Sequence, residues 1–486
     1  MRTPIHLGFD TEDRSQDITL EEADLRQGTL IVGVNGTGKS TLLHSMVMQH
    51  ISNGDGLALL DPHGDLTHDV MLSMSPELRE NVILFDPADV DFPFGLNLLE
   101  CDDRSNPLLV NRIESEVVST FKKLFEDSWG PRMEHILRHA ILTLILGTPG
   151  STILDIVLLL TDLQQRERYV SRVTEEEIRH YWAYEFPTNR KTQDEWVAPI
   201  LNKLGRFLVN PVIRNIVAQP KSSFDFRTIM DEGKVLLVNL SKGRLGEDNA
   251  ALLGSTIVGK ILIAALSRAE VRREERRQFH LIVDEFQSFA TESFPTLQSE
   301  ARKYAIDTTV AHQTRSQLDD GDPKGLNHGS TLNVGNYICF RLSGPDAREL
   351  ALQFDSTPPE PEPVLDSPSY KTGRPGLLRT DPDRILVPGR PRSYSDVEGE
   401  TANRLANAAN FHAHCRLIQS DGLIQRYVRI HSWLPTQYPD AYEEIRNQSR
   451  QLATPRNELE ASINRVWRGD SPESRYDLPG EDGEPR

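Results

Sequence analysis

The sequence predicts an α/β protein built on a mostly parallel central sheet and interrupted by an all-helical insertion. Three observations carry this expectation. Short runs that are apolar throughout, such as "LALLD" (57–61) and "NVILFD" (81–86), suit strands covered by helices on both faces. A glycine-rich loop stands between one such run and an amphipathic stretch. From residue 106 to 225 the pattern turns helical, in "VNRIESEVVSTFKKLF", "MEHILRHAILTLIL" and "ILDIVLLLTDL", and strand signals vanish.

The loop lies in "TLIVGVNGTGKSTLL" (29–43), where Gly33, Gly38, Lys39 and Ser40 fill the pattern G-x-x-x-x-G-K-[ST]. Glycines let the backbone curl so that successive N–H groups point inward, and the following helix aims its positive dipole end at the same point. The pattern is a phosphate cradle formed by Gly33, Asn35, Gly36, Thr37, Gly38, Lys39, Ser40 and Thr41. Lys39 is expected to reach the terminal phosphates of ATP, and the Ser40 hydroxyl to ligate Mg²⁺.

Strand-like runs return after the insertion as "KVLLVNL", "HLIVD", "DTTVA" and "NYICFRL", with a long helix at about 248–270 between the first two. "HLIVDEFQSF" (280–289) ends a strand in two adjacent carboxylates. Without the phosphate loop these acids would only close a strand at water. With it, Asp284 is expected to hold Mg²⁺ through water and Glu285 to take a proton from the water attacking the γ-phosphate. Gln313, at the end of the next strand, is placed to sense that phosphate or orient the water.

The chain has 486 residues and a formal charge of -18, so any contact with nucleic acid must be local, such as a lined channel. Cys101, Cys339 and Cys415 show neither disulfide nor zinc spacing, which fits a reducing cytoplasm. The first residues lack the apolar core of a signal peptide, and the longest apolar stretches, such as "AILTLILG" and "ILDIVLLLTDL", are expected to be too short to span a bilayer. A soluble cytoplasmic protein without a transmembrane segment is expected. In "NFHAHC" (410–415) the two histidines are expected to alternate faces of a strand, with no nearby acids at metal-site spacing.

The block "LGRFLVNPVIRNIVAQPKSSFDFRTIMDEGKVLLVNLSKGRLGEDNAALLGS", then "IVDEFQSF", "SEARKYAIDTTVAHQ" and "NYICFRLSGPDARELALQF", resembles the type IV secretion coupling proteins, TraD/TraG-like conjugative DNA-transfer ATPases of the HerA/FtsK superfamily. "LLDPHGDL" is similar to their pattern too. The resemblance covers roughly residues 29–355 and, more weakly, 396–435. It implies a RecA-like P-loop NTPase fold with subunits in a hexameric ring that moves DNA through a central channel, with a nuclease, relaxase or secretion-channel partner. It also implies that Arg302, in "SEARKY", is an arginine finger acting on the neighbouring subunit's nucleotide, and it matches Gln313 to the family's glutamine. Arg341 is a further arginine that could sense nucleotide. Fewer residues precede the phosphate loop than the family's membrane helices or the HerA-type β-barrel would need.

The expected domains are 1–105 and 226–355 for the two parts of the ATPase, 106–225 for the insertion, 356–395 for a Pro/Gly-rich basic linker, 396–435 for a hairpin segment around Asp421-Gly422, and 436–486 for a polar, partly disordered tail. A competing reading is an ATP-switched assembly or recruitment protein that moves no DNA. An ABC-type ATPase fails because "RLSGPDA" follows the acidic strand instead of preceding it. Glu285, Gln313 and the chain length argue against a small-molecule kinase.

Overall fold

The computed structural model describes residues 3–13, 16–315, 333–354, 363–365, 386–388, 393–431 and 436–467. Its strands are β1 (Ile5–Asp10), β2 (Asp17–Leu20), β3 (Thr29–Val32), β4 (Gly56–Asp61), β5 (Val82–Phe85), β6 (Val235–Asn239), β7 (Phe279–Val283), β8 (Ile306–His312), β9 (Asn336–Cys339), β10 (Pro363–Leu365), β11 (Leu386–Pro388), β12 (His412–Gln419) and β13 (Gly422–Ile430). Eleven of them form one sheet in the order β2-β1-β13-β12-β9-β3-β8-β7-β4-β6-β5, while β10 and β11 pair with each other. From β9 to β5 every pairing is parallel, so the predicted mostly parallel sheet is present.

Alternate residues of each central strand serve two cores. Leu30, Val32, Ala58 and Leu60 pack on the face that carries the helical insertion, and Ile31, Leu57 and Leu59 pack on the face that carries the phosphate-loop helix. This period of two on strands that are apolar throughout is why the runs lack visible alternation.

The insertion runs in helices from Pro107 to Val217, and no described residue between 107 and 232 lies in a strand. Its first helix, Pro107–Leu124, reaches the segment just after the acidic pair. Lys123 Nζ donates to the Gln287 carbonyl at 2.9 Å, Lys122 meets Glu292 at 2.9 Å, and Ser293 Oγ donates to Glu116 at 2.8 Å. Burial, then the nearby Lys242 charge, pushes the Lys123 ammonium down to about 7. The insertion therefore holds the loop that carries Glu285.

Three outcomes differ from the sequence expectations. First, Glu247–Glu270 is long and apolar enough to cross a membrane, contrary to the reading that every apolar stretch is too short; 78% of its apolar window is buried inside the structure, against the sheet and the insertion. Second, His412 and His414, two residues apart on β12, share one face instead of alternating, and both rings pack on Tyr427. Third, residues 436–467, expected within the polar tail, contain the helices Ala441–Ser449 and Arg456–Trp467. Leu459, Ile463 and Val466 are buried at helical spacing, and the first helix covers the edge strand β5, where Ser449 Oγ accepts from the Leu84 N–H at 2.9 Å. Residues 468–486 and most of the expected linker 356–395 lie outside the described residues.

Ile445, fully buried in the second core, tests whether this helix is integral to the fold. Ile445→Ala is expected to cost about 2–5 kcal/mol, read as a lowered thermal midpoint. An unchanged midpoint would mean that the helix is not part of the cooperative unit.

Candidate active site

The carboxyl ends of the parallel strands converge on one edge of the sheet, and the phosphate loop turns there between β3 and the Lys39–Ser52 helix. Gly36 and Gly38 have φ of +73° and +117°, a region that favours glycine. The space is also restricted: a Cβ on Gly38 would stand 3.0 Å from the Phe411 ring, and one on Gly33 2.6 Å from Phe340 Cβ. The Phe411 N–H donates to the Thr37 carbonyl at 2.8 Å, so the β12–β13 hairpin segment braces the loop. That hairpin turns at Ser420-Asp421, with Gly422 opening β13 at φ +131°.

Lys39 Nζ donates to the Gly33 carbonyl at 2.5 Å and to the Val34 carbonyl at 3.3 Å. The ammonium thus lies in the hollow of the loop. Burial lowers its pKa, and the charges of Asp284 and Glu285 act against that shift. Asn35, Gly36 and Ser40 are exposed at the mouth, with Thr41 half-buried behind them.

Asp284 and Glu285 follow β7 directly. Burial pushes the Asp284 carboxyl up to about 6; the Glu285 N–H opposes the shift, and the neighbouring Asp61 and Glu285 carboxylates add to it. A buried acid facing two others is suited to receiving a cation, and with the Ser40 hydroxyl across the loop the residues fit Mg²⁺.

Glu285 is held in the left-handed region at φ +44°, ψ +51°, which costs a non-glycine residue about 1–3 kcal/mol. Gln313 Nε2 donates to its Oε1 at 2.5 Å, and His63 Nε2 stands 2.9 Å from the same oxygen. Lys242 Nζ lies 3.4 Å from Oε2 and donates to Ser288 Oγ at 2.7 Å. Burial alone would raise the Glu285 pKa, but His63 and then Lys242 outweigh it, so the carboxyl sits below the usual range and is ionised at neutral pH.

The sequence reading missed His63 and Lys242. Both follow the carboxyl ends of strands, β4 and β6, by two or three residues, inside motifs already noted, "LLDPHGDL" and "VNLSKGRL". The rule applied to β3, β7 and β8, that residues just past strand ends face the site, would have found them.

Arg302 is not with this group. It precedes β8, on the opposite edge of the sheet, where Nη1 donates to Gln27 Oε1 at 3.0 Å just ahead of β3. At about 3.3 Å per residue, the strand between Gln27 and Gly33 separates Arg302 from its own phosphate loop by roughly 20 Å. Arg341 is close to the loop: its carbonyl accepts from the Val34 N–H at 2.9 Å.

The arrangement offers a buried ammonium in an anion cradle, two carboxylates and an amide on one strand edge. That set can bind a polyphosphate with its counter-ion and direct a water at it.

Comparison with known families gives a match over residues 15–322 to the type IV secretion-system coupling protein DNA-binding domain. No curated protein matches the chain. Among solved structures, the bacterial conjugative coupling protein TrwBdeltaN70 in its unbound monoclinic form is similar at a TM-score of 0.55 and 16% identity, covering 86% of this chain and 90% of that one. TrwB in complex with ADP and Mg²⁺ is similar at 0.54 and 16%, covering 86% and 90%. VirB4 of Thermoanaerobacter pseudethanolicus is similar at 0.50 and 12%, covering 89% and 97%. At these identities the likeness is one of fold.

Proposed function

We propose, from the premise that this chain belongs to the type IV secretion-system coupling protein family, that it is an ATPase that uses hydrolysis to translocate DNA. The observation that carries the reading is the convergence of Lys39, Asp284, Glu285 and Gln313 at one strand edge.

ATP binds with its phosphates in the loop of Gly33–Thr41, and Lys39 leaves its carbonyl contacts to meet them. Bound Mg²⁺, held by Ser40 and Asp284, supplies neutralisation of phosphate charge. Glu285, ionised and fixed by His63 and Lys242, accepts the proton of the attacking water, which Gln313 orients. The nucleotide complexes known for TrwB, with ADP and Mg²⁺ among them, support ATP and Mg²⁺ as its ligands.

Arg302 has no phosphate within reach in its own subunit, which supports a role on the neighbour's nucleotide and hence a ring, taken as a hexamer by family likeness. DNA would pass through the ring channel, on local basic contacts since the chain as a whole carries -18. We place the motor in the cytoplasm, working with a relaxase, a nuclease or a secretion channel. The domain limits 1–105, 106–225, 226–355 and 396–435 serve as its working division.

The test is steady-state ATP hydrolysis with and without long double-stranded DNA at moderate salt, with Lys39→Ala as the control. DNA is expected to stimulate turnover, and Lys39→Ala to lower it by about 10²–10³-fold or more, as for loss of a preorganised charge partner. Normal turnover in Lys39→Ala would remove the phosphate-loop assignment. Robust hydrolysis indifferent to DNA would favour the recruitment protein.

A further inference from the structure

At the amino end of the sheet, far from the phosphate loop, four buried titratable groups meet. His50 lies in the last turn of the phosphate-loop helix, Asp55 in the turn into β4, His280 at the second position of β7 and Asp307 at the second position of β8. None exposes more than 4% of its surface. His50 Nδ1 stands 3.0 Å from Asp55 Oδ2, and His280 Nε2 3.6 Å from the same oxygen. The imidazoles stack with centroids 3.8 Å apart. One donor atom from each of His50, Asp55 and His280 lies within 4.8 Å of the other two.

The outer contacts are as ordered as the inner ones. His280 Nδ1 is 2.8 Å from Asp307 Oδ2, and Gln278 Nε2 donates to that same oxygen at 2.8 Å. Gln278 is fixed in turn by Arg26 Nε, at 3.0 Å from its Oε1. A carboxylate on the far nitrogen of an imidazole is the usual support of a metal-ligating histidine, fixing tautomer and ring plane.

Two carboxylates and two imidazoles closed off together from water are costly in a protein interior unless they are well paired or hold a cation.

We propose that His50, Asp55 and His280 bind a zinc-class dication, with Asp307 orienting His280. Two imidazoles and one carboxylate suit zinc and poorly suit Mg²⁺, whose preferred ligands are oxygens. Closed off from solvent, the site is structural. It ties the far end of the phosphate-loop helix to β4 and β7, and through Asp307 to β8, the strands that lead to His63, Glu285 and Gln313. The proposal does not depend on the assignment of the ATPase site.

The experiment is metal analysis of the full-length protein as purified, then titration of Co²⁺ into chelator-treated protein, followed by the visible absorption of cobalt in a nitrogen and oxygen site. Stoichiometric zinc, cobalt absorption that saturates at equimolar metal, and a thermal midpoint raised by zinc are expected. His280→Gln and His50→Gln should abolish the absorption; Lys39→Ala should leave it unchanged, which separates this site from the nucleotide's. Should the histidine variants fail to fold, Asp307→Asn keeps every ligand and is expected to weaken metal affinity by about 10–100-fold. Folded wild-type protein that takes up neither metal, or uptake that Asp307→Asn or both histidine variants leave unaltered, would overturn the proposal and leave a proton-clamped ion-pair network.

Discussion

Arg302→Ala is expected to lower kcat by about 10³–10⁵-fold, the range for loss of an arginine finger, while nucleotide binding to the separate chain stays unchanged. The reason is geometric. Arg302 is exposed on the sheet edge opposite the phosphate loop, and among the described residues its side chain bonds to Gln27, so deleting it touches nothing described at its own subunit's site. The decisive version mixes Arg302→Ala with Lys39→Ala chains, each inactive alone. In a ring of random composition, about a quarter of the interfaces pair an intact loop from one chain with an intact arginine from the next. ATPase activity should therefore reappear on mixing. Verified mixed rings that stay silent would sink the trans assignment, and an Arg302→Ala enzyme with full turnover would remove the residue from catalysis altogether.

The central sheet was legible because most of its parallel strands are short apolar runs ended by a polar residue or turn, β8 with Asp307, Thr308 and Thr309 being the exception. The phosphate loop was legible because its chemistry is confined to one contiguous stretch, Gly33–Thr41. What escaped was assembled from distant parts. β1 and β2 are short strands at one margin of the sheet, and Ile5, Leu7, Ile18 and Leu20 are buried where β1 joins that sheet through β13, more than 400 residues along the chain. The helix Ala441–Ser449 is polar enough to read as a tail. Its single apolar ridge, its Ser449 hydroxyl on β5 and the pairing of Asp440 and Glu444 with the buried Arg79 become meaningful only once β5 is known to be an edge.

The same distinction holds within the site. Asp284, Glu285 and Gln313 were readable because strand ends announce themselves. His63 and Lys242 were not, because their role is defined by the atom they touch. They bear on one carboxylate from two other strands, and sequence gives no distance between β4, β6 and β7. The bracing of Gly38 by Phe411 is likewise a tertiary contact between segments far apart in the chain.

Those two unforeseen neighbours sharpen what Glu285→Gln should do. The substitution keeps the size of the side chain and its left-handed backbone, so the chain should fold and bind ATP with affinity changed by no more than a few-fold. It removes the charge that His63 and Lys242 hold ionised, and with it the proton acceptor; kcat is expected to fall by about 10²–10⁴-fold, the range for general-base catalysis. Glu285→Asp should be impaired for a different reason. It retains the charge but withdraws the carboxylate by one methylene from Gln313 and from the position of the water. A purely structural Glu285 predicts the reverse order, with the isosteric glutamine nearly active and the shortened aspartate defective. Comparing kcat and nucleotide affinity for the two variants thus separates a base from a brace, and equal, wild-type-like turnover in Glu285→Gln would transfer the proton-accepting role away from this residue.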